Sequence, residues 1–374
     1  MTPRRRVLSI IGTRPEAIKM APVVKALAAE PHLVSAVCAT GQHQELLYPI
    51  LDVFGITPDF RLATMAANQS LNELFAKLMS GIDAVIQDFK PDLVLVQGDT
   101  ASAAAGALAA FHRRVRVGHV EAGLRTGDMT QPWPEEMNRR LVDMLGDLLF
   151  APTARSREAL LSEGIPAARI EVTGNTVVDA LLMTAGMIAE DASLGATLAA
   201  GHAAYAGCRN LVLLTGHRRE NLGDGIRNIC TAIKRIVADG ETGVVYPVHM
   251  NPGVRSPVQE LLSGEPGVFL VEPLDYLNFV YLMQRATVIL TDSGGIQEEA
   301  PTFGIPVLVM RNVTERPEAV EAGAAKLVGT DPDTIVASVA EALAQRRTGG
   351  APRRPNPFGD GQAASRILAR ILAP

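Results

Sequence analysis

Cysteine is nearly absent: Cys38, Cys208 and Cys230 are the only three in 374 residues, and they show no paired or metal-like spacing. That excludes a disulfide framework and fits a reducing compartment, so a cytoplasmic protein is expected. Long hydrophobic runs are missing too. Arg4, Arg5 and Arg6 precede an apolar stretch, but it covers only Val7 to Ile11, contains Ser9 and is broken by Gly12-Thr13-Arg14-Pro15. A signal core needs roughly 7–15 apolar residues and a membrane helix about 18, so this run reads as a buried strand and no membrane partner is expected. There is no excess of positive charge either. The formal net charge is −5, which argues against a nucleic-acid surface while leaving room for local anion sites. The G-x-G-x-x-G dinucleotide fingerprint and the G-x-x-x-x-G-K-[ST] phosphate loop do not occur. Scattered histidines lack zinc-ligand spacing, so neither a metal nor a redox cofactor is expected.

What is present is an ordinary globular balance, 47% hydrophobic and 20% charged, in a chain long enough for about two domains. Short apolar runs alternate with helical patterns. The first set is Val7–Ile11, Leu33–Ala39, Leu93–Gln97, Val115–Val120 and Leu148–Ala151; the second is Leu211–Thr215, Val244–Val248, Val268–Val271, Val288–Thr291 and Pro306–Met310. Their apolarity is continuous rather than alternating, which predicts parallel strands covered on both faces. Repeated strand–helix units predict a doubly wound α/β architecture. The strand pattern lapses in the Ala-rich stretch from about Val177 to Arg209. The domain join is placed at Gly174-Asn175, giving domains 1–174 and 175–359. Arg346 to Phe358 reads as a linker, and a last helix at about 360–374 is expected to return to the first domain.

Ligands of open α/β sheets bind beyond the carboxyl ends of the strands, and polar residues recur there. Asp99 follows Leu93–Gln97, Glu121 follows Val115–Val120, His217 follows Leu211–Thr215, and Asp292-Ser293 follows Val288–Thr291. Any one of them is as readily a helix cap; several at one kind of edge are harder to dismiss. Ser293-Gly294-Gly295, followed by Glu298 and Glu299, suits a phosphate cradle because glycines let backbone N–H groups approach an anion. A tight strand–helix turn is the plainer alternative. Arg14 and Lys19 can add positive charge at the first strand–helix junction, or Glu16 and Lys19 form an exposed helical pair. Glu135–Arg139 and Glu136–Arg140 likewise have the spacing of surface pairs.

Taken in order, these segments resemble the non-hydrolysing UDP-N-acetylglucosamine 2-epimerases from Val7 to about Leu372. The resemblance is carried by GTRPEAIKMAPVV from Gly12, GDT at Gly98, GHVEAGLRTGD at Gly118 and PWPEEMNR at Pro132. TGNTVVDALL at Thr173, TGHRREN at Thr215, YPVHMNP at Tyr246, ILTDSGGIQEEAP at Ile289, ERPEAV at Glu315 and NPFGDGQAASRI at Asn356 continue it. It implies two Rossmann-like doubly wound domains facing a cleft, the GT-B arrangement, in a homodimer that acts on UDP-N-acetylglucosamine without cofactor or metal. By residue-to-residue match, Asp99, Glu121, Glu135 and His217 are the candidate catalytic residues. Arg14, Lys19, Phe279, Ser293, Gly294, Gly295, Glu299 and Arg316 would bind substrate and UDP. Gln42, His43 and His249 would flank a second, activating nucleotide. Two positions depart from the pattern: Leu274 stands where a relative has glutamine, and Gln44 replaces an arginine. The resemblance implies elimination of UDP to 2-acetamidoglucal and re-addition. Its rivals are a hydrolysing epimerase, an epimerase of an oxidised diacetamido UDP-sugar, a GT-B glycosyltransferase and a non-catalytic UDP-sugar-binding module.

Overall fold

The computed structural model describes residues 4–42, 44–66, 68–348 and 354–373. Two compact units divide the chain: Met1–Ala180 with Phe358–Pro374, and Leu181–Pro357. Among the described residues, the first unit has a seven-stranded sheet of β1 (Arg5–Ile11), β2 (Leu33–Ala39), β3 (Phe60–Arg61), β4 (Leu93–Gln97), β5 (Arg116–Val120), β6 (Leu148–Ala151) and β7 (Ile170–Val172). Its helices are α1 (Arg14–Ala29), α2 (Gln44–Val53), α3 (Leu71–Phe89), α4 (Ala101–His112), α5 (Glu135–Leu145), α6 (Ala154–Ser162) and the start of α7 (Thr176–Glu190). All paired strands run parallel, in the order β3-β2-β1-β4-β5-β6-β7. The order reverses between β1 and β4, so their outgoing loops flank a topological switch point.

Local chemistry explains the helix starts. Pro15 sits in the first turn of α1, where its missing N–H costs nothing. Ser70 and Glu73 form a reciprocal capping box on α3, and Thr100 caps α4 by accepting from Ala103 N. Leu8, Ile10, Val94 and Val96 pack with Leu78 and Ile82 of α3 and Ala103, Ala104 and Ala107 of α4.

The second unit continues with β8 (Asn210–Thr215), β9 (Thr242–Pro247), β10 (Val268–Val271), β11 (Val288–Thr291), β12 (Val307–Val309) and β13 (Ala325–Leu327). After the remainder of α7 come α8 (Ala192–Gly201), α9 (Asp224–Val237), α10 (Pro252–Leu262), α11 (Tyr276–Arg285), α12 (Gly294–Glu299), α13 (Pro317–Glu321) and α14 (Pro332–Arg347). The sheet order is β10-β9-β8-β11-β12-β13, again all parallel, with its switch point between β8 and β11. Val212, Leu214, Val244 and Leu290 form a core with Ile229 and Ile233 of α9, Val258 of α10 and Ile335 and Val339 of α14.

The last helix, α15 (Ala363–Leu372), belongs to the first unit, where it packs on α1. The buried Asp179 carboxylate fixes its start, accepting from Ala364 N at 2.8 Å and Ala363 N at 3.2 Å. The ten strands expected from the sequence lie within two residues of their expected ends. The three additional ones, β3, β7 and β13, are two or three residues long and all lie at sheet edges. Among the described residues, no helix is long and apolar enough to cross a membrane.

Candidate active site

In the first unit the loops after β1 and β4 meet over a buried carboxylate. Glu16 is 1% exposed and takes Gly12 N at 3.0 Å and Thr100 Oγ1 at 2.8 Å. Burial pushes its carboxyl up to about 7, with those donors working the other way. The exposed Glu16–Lys19 pair suggested by helical spacing is therefore not formed. Glu16 turns inward, while Lys19 reaches the carboxylate of Glu121 on a different strand end. Gly12 is required by close approach: a Cβ there would lie 2.1 Å from Ser102 Oγ and 2.7 Å from Thr40 Oγ1. Those two hydroxyls are hydrogen-bonded at 2.8 Å, and Ser102 also donates to Gln42 at 2.8 Å. His43 lies outside the described residues.

Glu121 ends β5 with φ +71°, a left-handed conformation that costs a residue with a Cβ and is found where surrounding structure fixes it. What fixes it is visible on both sides of the peptide. Glu121 N and Ala122 N both donate to Phe150 O, at 3.0 and 3.1 Å. Besides Lys19, the side chain accepts from Gln97 at 2.5 Å and Asn175 at 2.9 Å. It is 8% exposed, a buried carboxylate with charged and amide donors. Asp99, one strand over, is paired to Arg139, and its backbone carbonyl takes Asn138 Nδ2 at 2.9 Å. Arg139 also contacts Glu136 at 3.3 Å rather than Glu135, and Glu136 pairs with Arg140 at 2.9 Å as its spacing suggested. Glu135 is half-buried as the first residue of α5, and its side chain makes no hydrogen bond or ion pair among the described residues. Arg14 is exposed at the start of α1, also without such a partner among the described residues.

In the second unit a buried carboxylate again joins the two switch-point loops. Asp292 is fully buried and accepts from His217 N at 2.9 and 3.1 Å, Arg218 N at 2.9 Å and Asn221 Nδ2 at 3.1 Å. His217 Nδ1 lies 3.6 Å from Asp292, and its ring stacks on His249 with centroids 5.4 Å apart. Burial of part of the His217 ring lowers its pKa; Asp292 opposes this, while His249 and Arg218 reinforce it. The imidazole is thus neutral at neutral pH and able to take a proton.

Ser293, at the N-cap of α12, uses no side-chain capping bond, and its N–H goes to Thr291 Oγ1 at 3.0 Å. Neither Gly294 nor Gly295 is demanded by the chain's own structure. Neither has a positive φ, and an added Cβ would meet nothing nearer than Arg218 Nη2 at 3.6 Å or Glu299 Oε1 at 3.7 Å. Of the two acids, Glu298 is buried and paired with Arg316, whereas Glu299 is half-buried. Phe279 is half-buried on α11, after the Asp275 cap. The expected residues therefore gather in two sets. Asp99, Glu121, Glu135, Lys19, Arg14 and Gln42 belong to the first unit; His217, His249, Phe279, Ser293–Gly295, Glu299 and Arg316 belong to the second. Sequence reasoning missed Glu16, Gln97, Asn175 and Arg139 as supports of this edge. The available signal was a polar Gln97 closing an otherwise apolar strand.

The sequence model of the UDP-N-acetylglucosamine 2-epimerase family matches residues 25–372. A probable UDP-N-acetylglucosamine 2-epimerase of Ralstonia solanacearum is 52% identical over 371 residues, 99% of each chain. The UDP-N-acetylglucosamine 2-epimerase of Salmonella typhimurium is 50% identical over 368 residues, 98% of each chain. The crystal structure of the UDP-GlcNAc 2-epimerase of Neisseria meningitidis bound to UDP-GlcNAc superposes with a TM-score of 0.88 at 45% identity, covering 98% of this chain and 99% of that one. With two doubly wound α/β units, buried carboxylates at both switch points and similarity along nearly its whole length, the chain belongs to the UDP-N-acetylglucosamine 2-epimerase family.

Proposed function

We propose that the protein interconverts UDP-N-acetylglucosamine and UDP-N-acetylmannosamine by inverting carbon 2 of the sugar. The observation that carries this reading is Glu121. Its carboxylate is buried, held by Lys19, Gln97 and Asn175 on a strained left-handed backbone, one strand from Asp99. A simple nucleotide-binding loop has no need of such a costly arrangement.

The hydrogen on C2 is not adjacent to a carbonyl, so direct deprotonation is unfavourable. In the proposed route the C1–O bond breaks and its electron pair leaves with UDP. A carboxylate takes the C2 proton, the C–H electrons form a C1–C2 double bond, and 2-acetamidoglucal results. A proton then returns to C2 from the opposite face, and UDP re-forms the bond at C1. Asp99, Glu121 and Glu135 are assigned to proton transfer and to the positive charge that develops at C1. Arg14, Lys19, His217, Arg316 and the N–H groups of Ser293–Gly295 are assigned to the diphosphate. Phe279 and Glu299 are assigned to the nucleoside. No hydride moves, so the route needs no nicotinamide. Gln42, His43 and His249 are assigned to a second, activating UDP-sugar, and the working form is a homodimer in the cytoplasm.

Incubating the protein with UDP-N-acetylglucosamine in D₂O and following it by NMR tests the reading. The expected product is UDP-N-acetylmannosamine with deuterium at C2. Free N-acetylmannosamine would instead make it a hydrolysing enzyme, and retention of the C2 proton would exclude elimination.

A further inference from the structure

A histidine in the middle of this edge is not used by the proposed chemistry. His119 points into the first unit from β5 and is 0% exposed. Its Nδ1 lies 2.6 Å from Asp143 Oδ1, and its Nε2 lies 2.8 Å from the Gly98 carbonyl oxygen. The carbonyl can only accept. Asp143 is 1% exposed; its other oxygen takes Gly123 N at 3.2 Å and Arg125 Nη1 at 2.7 Å. Burial would push the Asp143 carboxyl up, but His119 and Arg125 outweigh it and hold it below the usual range. It too is an acceptor on every side. A neutral imidazole carries one N–H and would set a nitrogen lone pair against an oxygen lone pair at one of these two contacts.

We propose that His119 is a buried imidazolium, paired with Asp143, that positions the two turns presenting Asp99 and Glu121. The local charges balance: His119 and Arg125 face Asp143 and Glu163, the last receiving Arg125 Nε and Nη2 at 2.7 Å each. The nearby Asp99 and Glu121 have cations of their own, Arg139 and Lys19. A buried ion pair is a weak way to stabilise a strand, so its use lies in what it holds. On one side Nε2–H fixes the carbonyl of Gly98, whose N–H donates to Val120 O at 3.0 Å and whose peptide leads directly into Asp99. On the other side Asp143 fixes the N–H of Gly123, two residues beyond Glu121. Only glycine fits there, because φ is +85° and a Cβ would come 2.3 Å from Ser156 O. His119 and Asp143 are thus positioning residues for the proposed epimerisation, and this role rests on that reading of function.

Two measurements on the full-length protein test it. Long-range ¹H–¹⁵N correlation of histidine-labelled protein, with His119 assigned by its loss in His119→Gln, reads both ring nitrogens. Both should carry a proton in the folded protein at neutral pH, as two acceptor contacts require. A bare His119 nitrogen overturns the imidazolium. In the D₂O assay, His119→Phe should lower kcat on the order of 10²-fold, with KM and UDP binding little changed. His119→Gln keeps a donor for Gly98 and should recover part of that loss. Folded variants with wild-type kcat, or a loss confined to KM, overturn the positioning role. If the unaltered protein does not epimerise the sugar, the functional reading falls, and the ring-nitrogen signature still decides the imidazolium.

Discussion

The two units solve the same topological problem with different donors. Each has a switch point, and at each a buried acid joins the outgoing loops: Glu16 between β1 and β4, Asp292 between β8 and β11. Glu16 receives one backbone N–H and one hydroxyl, and its carboxyl is pushed up to about 7. Asp292 receives two backbone N–H groups and a side-chain amide. The surroundings differ in kind as well. The first unit's edge carries carboxylates held by internal cations, Glu121 by Lys19 and Asp99 by Arg139. The second unit's edge carries an exposed imidazole, two uncrowded glycines and Arg316. In the proposed function, the first edge would serve proton transfer and the second would hold an anion.

The largest effect should come from breaking the acid edge. Glu121→Gln should fold and bind UDP, because the nucleotide groups are assigned mostly to the second unit, yet lose turnover by roughly 10² to 10⁴ if Glu121 transfers a proton. Calorimetric UDP binding measured beside the D₂O assay checks both halves. Near-normal turnover would reduce Glu121 to a structural partner of Lys19. Next is Asp292→Asn, which leaves one acceptor oxygen for His217 N, Arg218 N and Asn221 Nδ2. Each donor left unsatisfied costs about 1–3 kcal/mol. The variant should unfold at clearly lower denaturant and bind UDP more weakly. A stability equal to wild type would mean the β8 loop is held by something else.

The third test turns on the sign of the Glu16 shift. The carboxyl is raised from 4.5 to about 7 in the folded state, so the native protein holds a proton there that the unfolded chain has lost. That contribution to stability is fully present below pH 4.5 and is lost as pH rises through about 7. Glu16→Gln keeps a carbonyl for Gly12 N and an amide for Thr100 Oγ1 but does not titrate. Relative to this variant, the wild type should lose up to about 3 kcal/mol across that window. Urea unfolding at a series of pH values measures it, and parallel curves for the two proteins would refute the shift.

The same contrast shows what could be read before the structure. Central strands were legible because each is a continuous apolar run, whereas β3, β7 and β13 are too short to carry a period and lie at edges. Asp99, Glu121, His217 and Ser293 were legible by position alone, since each follows a strand. Their partners were not. Lys19 and Glu121 are 102 residues apart and Asp99 and Arg139 are 40 apart, and sheet order, not spacing, brings them together. Helical spacing pointed Glu16 towards Lys19 and Arg139 towards Glu135; the stronger pull came from N–H groups and carboxylates on other loops.

The smallest effect sharpens the comparison most. Gly12, at the first switch point, cannot accept a Cβ because Ser102 and Thr40 already occupy the space. Gly294, at the second, can: its φ is not positive, and the nearest atom to an added Cβ is a mobile guanidinium nitrogen 3.6 Å away. The protein's own folding therefore gives no reason for glycine at 294. Alanine there should leave stability unchanged or raise it by about 0.4–1 kcal/mol, since it removes freedom from the unfolded chain. A phosphate approaching the Gly294 N–H would meet the new methyl group. UDP affinity should fall on the order of tenfold, about 1.4 kcal/mol. Gly294→Ala thus separates folding from binding in a single variant. Unfolding curves and UDP titrations on the same preparation read both quantities. Undiminished UDP affinity would remove Gly294 from the diphosphate site, and a loss of stability would mean that this glycine serves the fold, as Gly12 does.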